Sequence, residues 1–268
     1  MESPASQTTD RATSFDRNAE LYDETRPGYP KELFTDLAAQ AGLKSNDPVL
    51  ELGAGTGRAS VPMGEAGYRL TAVEPGPKLT EILSSRLEGF PGATVLNTTF
   101  EDADLPSGTY NLVFAAQSYH WLNPETRVER IARVLKPGGY LAAFWNVPSQ
   151  PDEPIHSAIQ ACYERFFKEP EFRSAPRLWS SPDTSPFVHE LMESGRFGRP
   201  RGSVYEFRVE YNADAYAKLL RTHSDHQMQA PDVLERLLAA IGEAIESHGG
   251  FIQIPYSSNL FVSRFNGE

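Results

Sequence analysis

The amino-acid sequence predicts an α/β protein built on a doubly wound, mostly parallel sheet. Short apolar segments typical of buried parallel strands alternate with segments of helical spacing over about a hundred residues, the pattern that such sheets produce. A glycine-rich loop joins the first strand to the next helix, as in sheets that bind ligands at their carboxyl ends. A length of 268 residues with 40% hydrophobic residues supports one large domain with a packed core.

Each predicted element is bounded by a change in the pattern of apolar residues. The expected strands are residues 49–52, 69–74, 94–98, 111–115 and 140–145, followed after a less regular stretch by 203–209 and 259–265. The expected helices are residues 15–25, 31–41, 60–67, 76–87, 124–135, 155–167, 214–221 and 233–247. Pro30 can begin the helix at 31–41, and the Lys136-Pro-Gly-Gly139 turn is expected to end the helix at 124–135.

The domain organisation follows from the same pattern. We expect a polar, disordered tail at residues 1–13 and a single domain over residues 14–268. The expected parts of that domain are a helical cap at 14–47, a ligand-binding core at 48–147, an insertion after the fifth strand at 148–200, and C-terminal strands and helices at 201–268. The insertion begins with a proline-rich linker and is expected to act as a lid over the end of the sheet.

The net charge and the cysteine content indicate where the protein is located and which classes of partner it is expected to bind. A net charge of −11 disfavours nucleic acid, and the clustered Arg196, Arg199 and Arg201 are expected to lie on a solvated loop. The single cysteine, Cys162, excludes an intramolecular disulfide and fits a reducing compartment. No apolar run reaches membrane-spanning length and no leader pattern opens the sequence, so we expect a cytoplasmic protein without a membrane partner.

Metal binding is not expected. His223 and His226 have a spacing that suits a metal, but no third ligand accompanies them at a recognisable spacing. The sequence also lacks the G-x-S-x-G segment of many serine hydrolases, so hydrolysis is not predicted.

The segment Glu51-Leu-Gly-Ala-Gly-Thr-Gly57 carries the main functional signal. Its glycines allow a tight turn and a close approach of the backbone to a ligand. The G-x-G-x-G spacing differs from the G-x-G-x-x-G of dinucleotide-binding folds and from the lysine-ended loop that binds nucleoside triphosphates. Glu74 ends the next strand, where a carboxylate can accept hydrogen bonds from both hydroxyls of a ribose.

Several segments resemble the motifs of class I S-adenosylmethionine-dependent methyltransferases, in the right order and spacing. Residues 49–58 (VLELGAGTGR) resemble the first motif, and residues 110–121 and 134–140 resemble later ones. Residues 15–23 and 26–30 are similar to the small-molecule subgroup that includes trans-aconitate methyltransferase-like proteins. The resemblance implies a Rossmann-like, seven-stranded sheet with its last strand antiparallel, S-adenosyl-L-methionine as cofactor and S-adenosyl-L-homocysteine as product.

The resemblance also implies roles for individual residues. The glycine loop and Glu51 would hold the methionine part of the cofactor, Glu74 the ribose, and the segment after the third strand the adenine. Arg26 is a candidate partner for the carboxylate of the cofactor. The residues expected to bind the cofactor are Tyr22, Arg26, Glu51, Gly53, Ala54, Gly55, Thr56, Gly57, Glu74, Pro75, Phe100, Glu101, Ala116 and Gln117.

The acceptor is expected beside the end of the fourth strand. The candidate substrate-binding residues are Tyr29, Tyr119, His120 and Trp121. His120 is the candidate catalytic base for a hydroxyl acceptor, whereas a carboxylate is already ionised near neutral pH and needs no base. In the alternative interpretation, His120 and Trp121 are packed side chains that do not contact the acceptor.

The sequence therefore favours methyl transfer to a small molecule, with carboxylate or hydroxyl oxygen as the expected acceptor atom. A non-catalytic protein that binds the cofactor is an alternative of another class. An NAD-dependent oxidoreductase is disfavoured by the glycine spacing, and a macromolecular substrate by the acidic charge. The oligomeric state is not predicted.

Overall fold

The computed structural model of the protein describes residues 24–166 and 185–267. The expected tail at 1–13, nearly all of the expected helix at 15–25, and Tyr22 lie outside the described residues. No helix among the residues described is long and apolar enough to cross a membrane.

Seven strands form one sheet in the order β3-β2-β1-β4-β5-β7-β6. Their bounds are β1 Pro48–Leu52, β2 Arg69–Val73, β3 Thr94–Leu96, β4 Tyr110–Ala116, β5 Leu135–Pro148, β6 Arg201–Asn212 and β7 Phe251–Arg264. Neighbouring strands among β1 to β5 are parallel, and β7 runs antiparallel to both β5 and β6. The predicted Rossmann-like sheet of seven strands with its last strand antiparallel is confirmed.

Helices cover both faces of the sheet. Their bounds are α1 Lys31–Ala41, α2 Ser60–Glu65, α3 Pro77–Leu87, α4 Arg127–Val134, α5 Ile155–Phe166, α6 Pro186–Ser194, α7 Ala213–Arg221, α8 Ser224–Gln227 and α9 Pro231–Ser247, with a 3₁₀ helix at Tyr119–Trp121. Leu33 and Leu37 of α1 pack on one face beside Leu83 of α3. On the opposite face, Ile131 of α4 and Phe187 of α6 pack against the same sheet.

The junction between α4 and β5 differs from the prediction for a physical reason. The helix α4 ends at Val134, and the Lys136-Pro-Gly-Gly139 segment belongs to β5 rather than to a helix-ending turn. Leu135 pairs with Tyr110 and Tyr140 pairs with Leu112, so the intervening residues form an irregularity in the ladder. Proline and glycine are found in strands at such irregularities.

The helix α6 was not predicted. Pro186 occupies its first turn, where the missing N–H costs nothing, and Phe187 and Leu191 are fully buried in the main core. This part of the 148–200 segment therefore packs against the sheet.

The long β6–β7 hairpin carries a separate layer of helices. Its outer half, with Ile252 and Ile254 of β7, packs against α5, α7 and α9 through a third apolar cluster. Ile159 of α5 and Leu238 of α9 are buried in that cluster. We call α5, α7, α8 and α9 the helical layer. It combines residues from the expected insertion with residues from the C-terminal part of the chain.

An ion pair between Arg127 and Glu190 links helices α4 and α6 next to the end of β4. The Arg127 guanidinium donates to both Glu190 oxygens at 2.7 Å, and the two side chains are only 14% and 22% exposed. Glu190 also accepts a hydrogen bond from the Tyr119 hydroxyl at 3.0 Å.

We predict that Glu190→Ala lowers the free energy of unfolding by about 1.5–3 kcal/mol, because it leaves a partly buried guanidinium without its charged acceptor. Urea unfolding followed by circular dichroism measures this change. Glu235→Ala is the matched control, since Glu235 pairs with Arg221 on the surface and its removal should change stability little. Equal losses in the two variants would contradict the structural role of Glu190.

Candidate active site

A cavity of about 860 Å³ opens at the carboxyl ends of the parallel strands. The loops after β1, β2, β3 and β4 form most of its wall. The predicted site residues that line it are Arg26, Tyr29, Glu51, Gly53, Ala54, Gly55, Thr56, Glu74, Pro75, Phe100, Glu101, Ala116, Gln117 and Trp121. Gly57, Tyr119 and His120 are not among the lining residues.

The three glycines of the loop after β1 have different surroundings. All have positive φ, at 67° for Gly53, 57° for Gly55 and 92° for Gly57. A Cβ atom at Gly53 would lie 2.7 Å from the Cβ of Ser118, and one at Gly57 would lie 2.8 Å from Leu83 Cδ1. A Cβ atom at Gly55 would meet no atom within 4 Å. Gly53 and Gly57 therefore permit packing of the loop, whereas Gly55 leaves space open towards the cavity.

Glu74 holds this loop in place. Its Oε2 accepts a hydrogen bond from the Gly55 backbone N–H at 2.8 Å, and its Oε1 accepts one from the Gly76 N–H at 2.9 Å. The residue is only 6% exposed and lines the cavity. A carboxylate oxygen can accept more than one hydrogen bond, so the fixed Glu74 retains the capacity to bind paired hydroxyls.

Glu51 is a buried carboxyl next to the same loop. Its Oε2 accepts a hydrogen bond from the Ser60 hydroxyl at 2.5 Å. Burial raises the pKa of Glu51 to about 8, the Ser60 hydrogen bond opposes this shift, and the charge of Glu74 adds to it. A cationic group bound nearby would favour the ionised form of Glu51.

The segment after β3 meets the segment after β4 at one side of the cavity. Glu101 Oε1 accepts a hydrogen bond from the Asn123 N–H at 3.0 Å, and Asp102 Oδ2 accepts one from the Thr99 hydroxyl at 2.8 Å. Both acids line the cavity, as does the largely buried Phe100. This wall suits the adenine position that the sequence predicts for it.

The end of β4 has a strained backbone. Gln117 has a positive φ of 62°, which is uncommon for a residue other than glycine and is often associated with functional sites. Its side-chain amide donates to the Asn146 carbonyl at 3.2 Å, and the neighbouring Ser118 hydroxyl donates to the Leu52 carbonyl. These bonds tie the ends of β1, β4 and β5 together beneath the cavity.

Tyr119 is a correction to the predicted substrate site. Its side chain is fully buried in the core, where its ring lies 4.8 Å from that of Phe187 and its hydroxyl donates to Glu190. Burial therefore places Tyr119 in the core and away from the cavity, because the residue begins a turn of 3₁₀ helix that directs it inwards.

His120 packs between Trp145 and Trp121 beside the end of β4. Its Nδ1 accepts a hydrogen bond from the Trp145 indole N–H at 3.3 Å, so the neutral ring carries its proton on Nε2 and can donate there but not accept. Although part of the residue is solvent-exposed, desolvation by neighbouring side chains and the charge of Arg127 lower the pKa of His120 to about 4. The ring packs at 4.8 Å from that of Trp121, which does line the cavity.

Four residues outside the predicted set also line the cavity. They are Arg58, Asn146, His223 and Tyr256, and His223 and Tyr256 come from the helical layer and the hairpin that supports it. Arg58 ends the segment that resembles the first motif, whereas His223 and Tyr256 are distant in sequence from the recognisable motifs. Within the described parts of the chain, no group of three or more metal-ligating side chains is present.

A short N-terminal segment, residues 24–29, joins the helical layer to the sheet. Arg26 donates to the Thr222 hydroxyl at 3.2 Å and to its carbonyl at 3.4 Å. The Asn146 side chain donates to the Gly28 carbonyl at 2.9 Å. Arg26 and Tyr29, both predicted site residues, are thereby positioned at the cavity.

Comparison with known proteins agrees with this geometry. Residues 50–143 match the family described as a methyltransferase domain. An uncharacterised methyltransferase of Mycobacterium bovis is 35% identical over 137 residues, which are 51% of this chain and 54% of that protein. The chain thus spans about half the length of the curated relatives it matches.

Solved structures share the fold. A protein of Anaeromyxobacter dehalogenans assigned as a type II methyltransferase has a TM-score of 0.65 at 22% identity, covering 89% of this chain and 97% of its own. Phosphoethanolamine N-methyltransferase 2 of Haemonchus contortus, solved with S-adenosylhomocysteine, has a TM-score of 0.54 at 13% identity, covering 96% and 59%. At these identities the likeness establishes the fold. With the family match, it identifies residues 50–143 as a class I, S-adenosylmethionine-dependent methyltransferase domain.

The different surroundings of Gly55 and Gly53 give a testable contrast. Gly55→Ala should lower affinity for S-adenosylhomocysteine by about tenfold or more, because its Cβ enters the cavity, and cost only about 1–2 kcal/mol of stability for its left-handed backbone. Gly53→Ala should destabilise the protein more, because its Cβ also collides with Ser118. Calorimetric titration and thermal unfolding of both variants measure these effects. Wild-type affinity in Gly55→Ala would show that the loop does not approach the ligand.

Proposed function

We propose that the protein transfers a methyl group from S-adenosylmethionine to a small-molecule acceptor by in-line displacement. The observation that carries this proposal is the Gly55–Glu74 pair, which faces the cavity with open space at Gly55 and a fixed carboxylate at Glu74. A nucleoside with a free ribose fits both features, because the loop leaves room and the carboxylate can accept from two hydroxyls.

The other lining residues suit the remaining parts of the cofactor. Glu101, Asp102 and Phe100 form the side assigned to adenine. Ala116 and Gln117 also line the cavity and are assigned, with Glu51, to the methionine part. Arg26 is assigned to the cofactor carboxylate, for which a guanidinium is a strong partner.

The chemistry requires alignment more than activation. When bound, S-adenosylmethionine supplies a methyl group already activated by a sulfonium. The chain has to hold the acceptor in line with that methyl group and exclude competing water. Ordering two reactants in this way can lower a barrier by about 7–11 kcal/mol.

The proposed acceptor atom is a carboxylate or hydroxyl oxygen. The hydrogen bond from Trp145 and the lowered pKa favour His120 as a neutral donor rather than a base. A carboxylate acceptor is already ionised and requires no base, so it suits this arrangement better than a hydroxyl. Trp121 and Tyr29 are the proposed apolar walls for the acceptor.

A non-catalytic role for the cofactor site is the alternative to be tested. A turnover assay distinguishes an enzyme from a binding protein, because a binding protein retains S-adenosylhomocysteine without forming a methylated product.

A net charge of −11 supports a small acceptor over nucleic acid. A cytoplasmic location is part of the proposal and rests on the single cysteine.

Glu74→Gln tests the proposed cofactor contact. It should weaken S-adenosylhomocysteine binding by about 1.5–3 kcal/mol, the usual contribution of a hydrogen bond to a charged group. Calorimetric titration gives the change. Glu88→Gln is the matched control, because Glu88 is exposed at the end of α3, does not line the cavity and loses the same charge. Equal affinity in folded Glu74→Gln and wild type would remove Glu74 from the cofactor site.

A further inference from the structure

The sheet ends on one side in a long strand, β6. Within residues 24–166 and 185–267, no strand other than β7 pairs with it. We call the side of β6 that faces away from β7 its outer edge. Its 12 residues at about 3.3 Å each give an edge of about 40 Å. Alternate residues of such an edge direct their backbone N–H and C=O groups outward, where they can pair with a further strand.

β6 lacks the features by which edge strands usually avoid pairing with another chain. Those features are a short length, proline, lysine and bulges. The strand at the opposite edge of the sheet, β3, has only three residues. In contrast, β6 contains no proline and no lysine, and its pairing with β7 continues from Arg201 to Asn212 without a bulge. The backbone of β6 is therefore long and regular enough to accept a further strand.

The side chains of β6 differ between the two faces of the sheet. The odd-numbered residues from Ser203 to Tyr211 are half-buried or buried, and the Tyr205 hydroxyl donates to Asp36. The even-numbered residues are exposed to solvent among the described parts of the chain. They are Gly202, Val204, Glu206, Arg208, Glu210 and Asn212. The exposed face therefore carries charges of alternating sign.

These charges are complementary to a second copy of the same strand. If two β6 strands pair antiparallel about a two-fold axis at Phe207, Glu206 of each copy lies opposite Arg208 of the other. An axis at Glu206 or at Arg208 would instead place like charges opposite each other. Opposite charges on directly paired residues stabilise a sheet, and like charges destabilise it. The order of the charges therefore favours the axis at Phe207 over its immediate neighbours.

The same alignment suits the other face and the length of the strand. It places Tyr205 opposite Val209 and Phe207 opposite its own copy, and aromatic and β-branched pairs are favourable across antiparallel strands. It pairs residues 202–212 of each chain, which is nearly the whole of β6. An axis at Val209 would also oppose unlike charges, but it would pair only residues 206–212. The axis at Phe207 therefore pairs more of the strand.

Arg208 binds a carboxylate of its own chain and can bind a second one. Its Nη1 donates to Asp152 Oδ2 at 2.7 Å, and the two side chains are 49% and 72% exposed. A guanidinium has several N–H donors in a planar fork, so a carboxylate from another chain can bind beside Asp152.

We propose that the outer edge of β6 pairs with the β6 strand of a second copy of this chain, and that the protein is a two-fold symmetric dimer with one sheet continuous across both chains. Glu206 and Arg208 determine the alignment through their reciprocal ion pairs. The dimer does not depend on the proposed methyl transfer, because none of residues 201–212 lines the cavity.

Sedimentation equilibrium of the whole chain tests this interface. The salt concentration is about 0.15 M, which screens much of the long-range repulsion between chains of net charge −11. The variants are Arg208→Glu, Glu206→Arg and the double variant with both changes. Arg236→Glu is the matched control, because Arg236 is also exposed and also paired with an aspartate, Asp232, but lies on α9. Circular dichroism shows whether each variant is folded.

Wild-type protein and Arg236→Glu should form dimers with a dissociation constant in the micromolar range. Each single β6 variant should dimerise about ten- to a hundredfold more weakly, because like charges then meet at both symmetric positions. The double variant should recover the wild-type affinity. An equimolar mixture of the two single variants should form a mixed dimer, because residues 206 and 208 of the two chains again carry opposite charges.

A monomeric wild-type protein, or an assembly that grows beyond a dimer, would overturn the inference. A dimer of unchanged affinity in Arg208→Glu and Glu206→Arg would show that another surface associates. Equal weakening in Arg236→Glu would attribute the effect to net charge alone. Failure of both the double variant and the mixture to associate would equally overturn the proposed alignment.

Discussion

The hydrogen bond from the Gly55 N–H to the Glu74 carboxylate is the constraint on which the site depends. It joins the loop after β1 to the end of β2, and the Gly76 N–H fixes the second oxygen of the same carboxylate. The loop can take this path only because its glycines have positive φ and, at Gly53, no side chain to collide with Ser118. The floor of the cavity is therefore held by hydrogen bonds within the chain itself, and such internal bonds reduce the ordering cost of binding.

The β6–β7 hairpin determines the other half of the cavity. The part of the hairpin that extends beyond the parallel strands supports the helical layer. The hairpin contributes Tyr256 to the cavity, and the helical layer contributes His223. Residues 24–29 bind to both parts through Arg26 and Gly28, so the wall and the floor are connected.

The fold was predictable, and candidate residues for the cofactor could be named, because the signals for both are local. Each parallel strand is a short apolar run followed by a turn, and the glycine spacing with Glu74 lies within one strand–helix–strand unit. The remaining lining residues Asn146, His223 and Tyr256 were not predictable, because they meet only through tertiary contacts between distant parts of the chain. Tyr119 was misplaced for the same reason, since its partner Glu190 is distant in the sequence.

Calorimetric titration of the unmodified chain with S-adenosylhomocysteine and, separately, with NAD tests the central claim most directly. Both ligands contain an adenosine ribose that Glu74 can bind, so the comparison depends on the shape of the glycine loop rather than on the carboxylate alone. One saturable site for S-adenosylhomocysteine and no binding of NAD is the predicted result. Binding of NAD in preference to S-adenosylhomocysteine would contradict it.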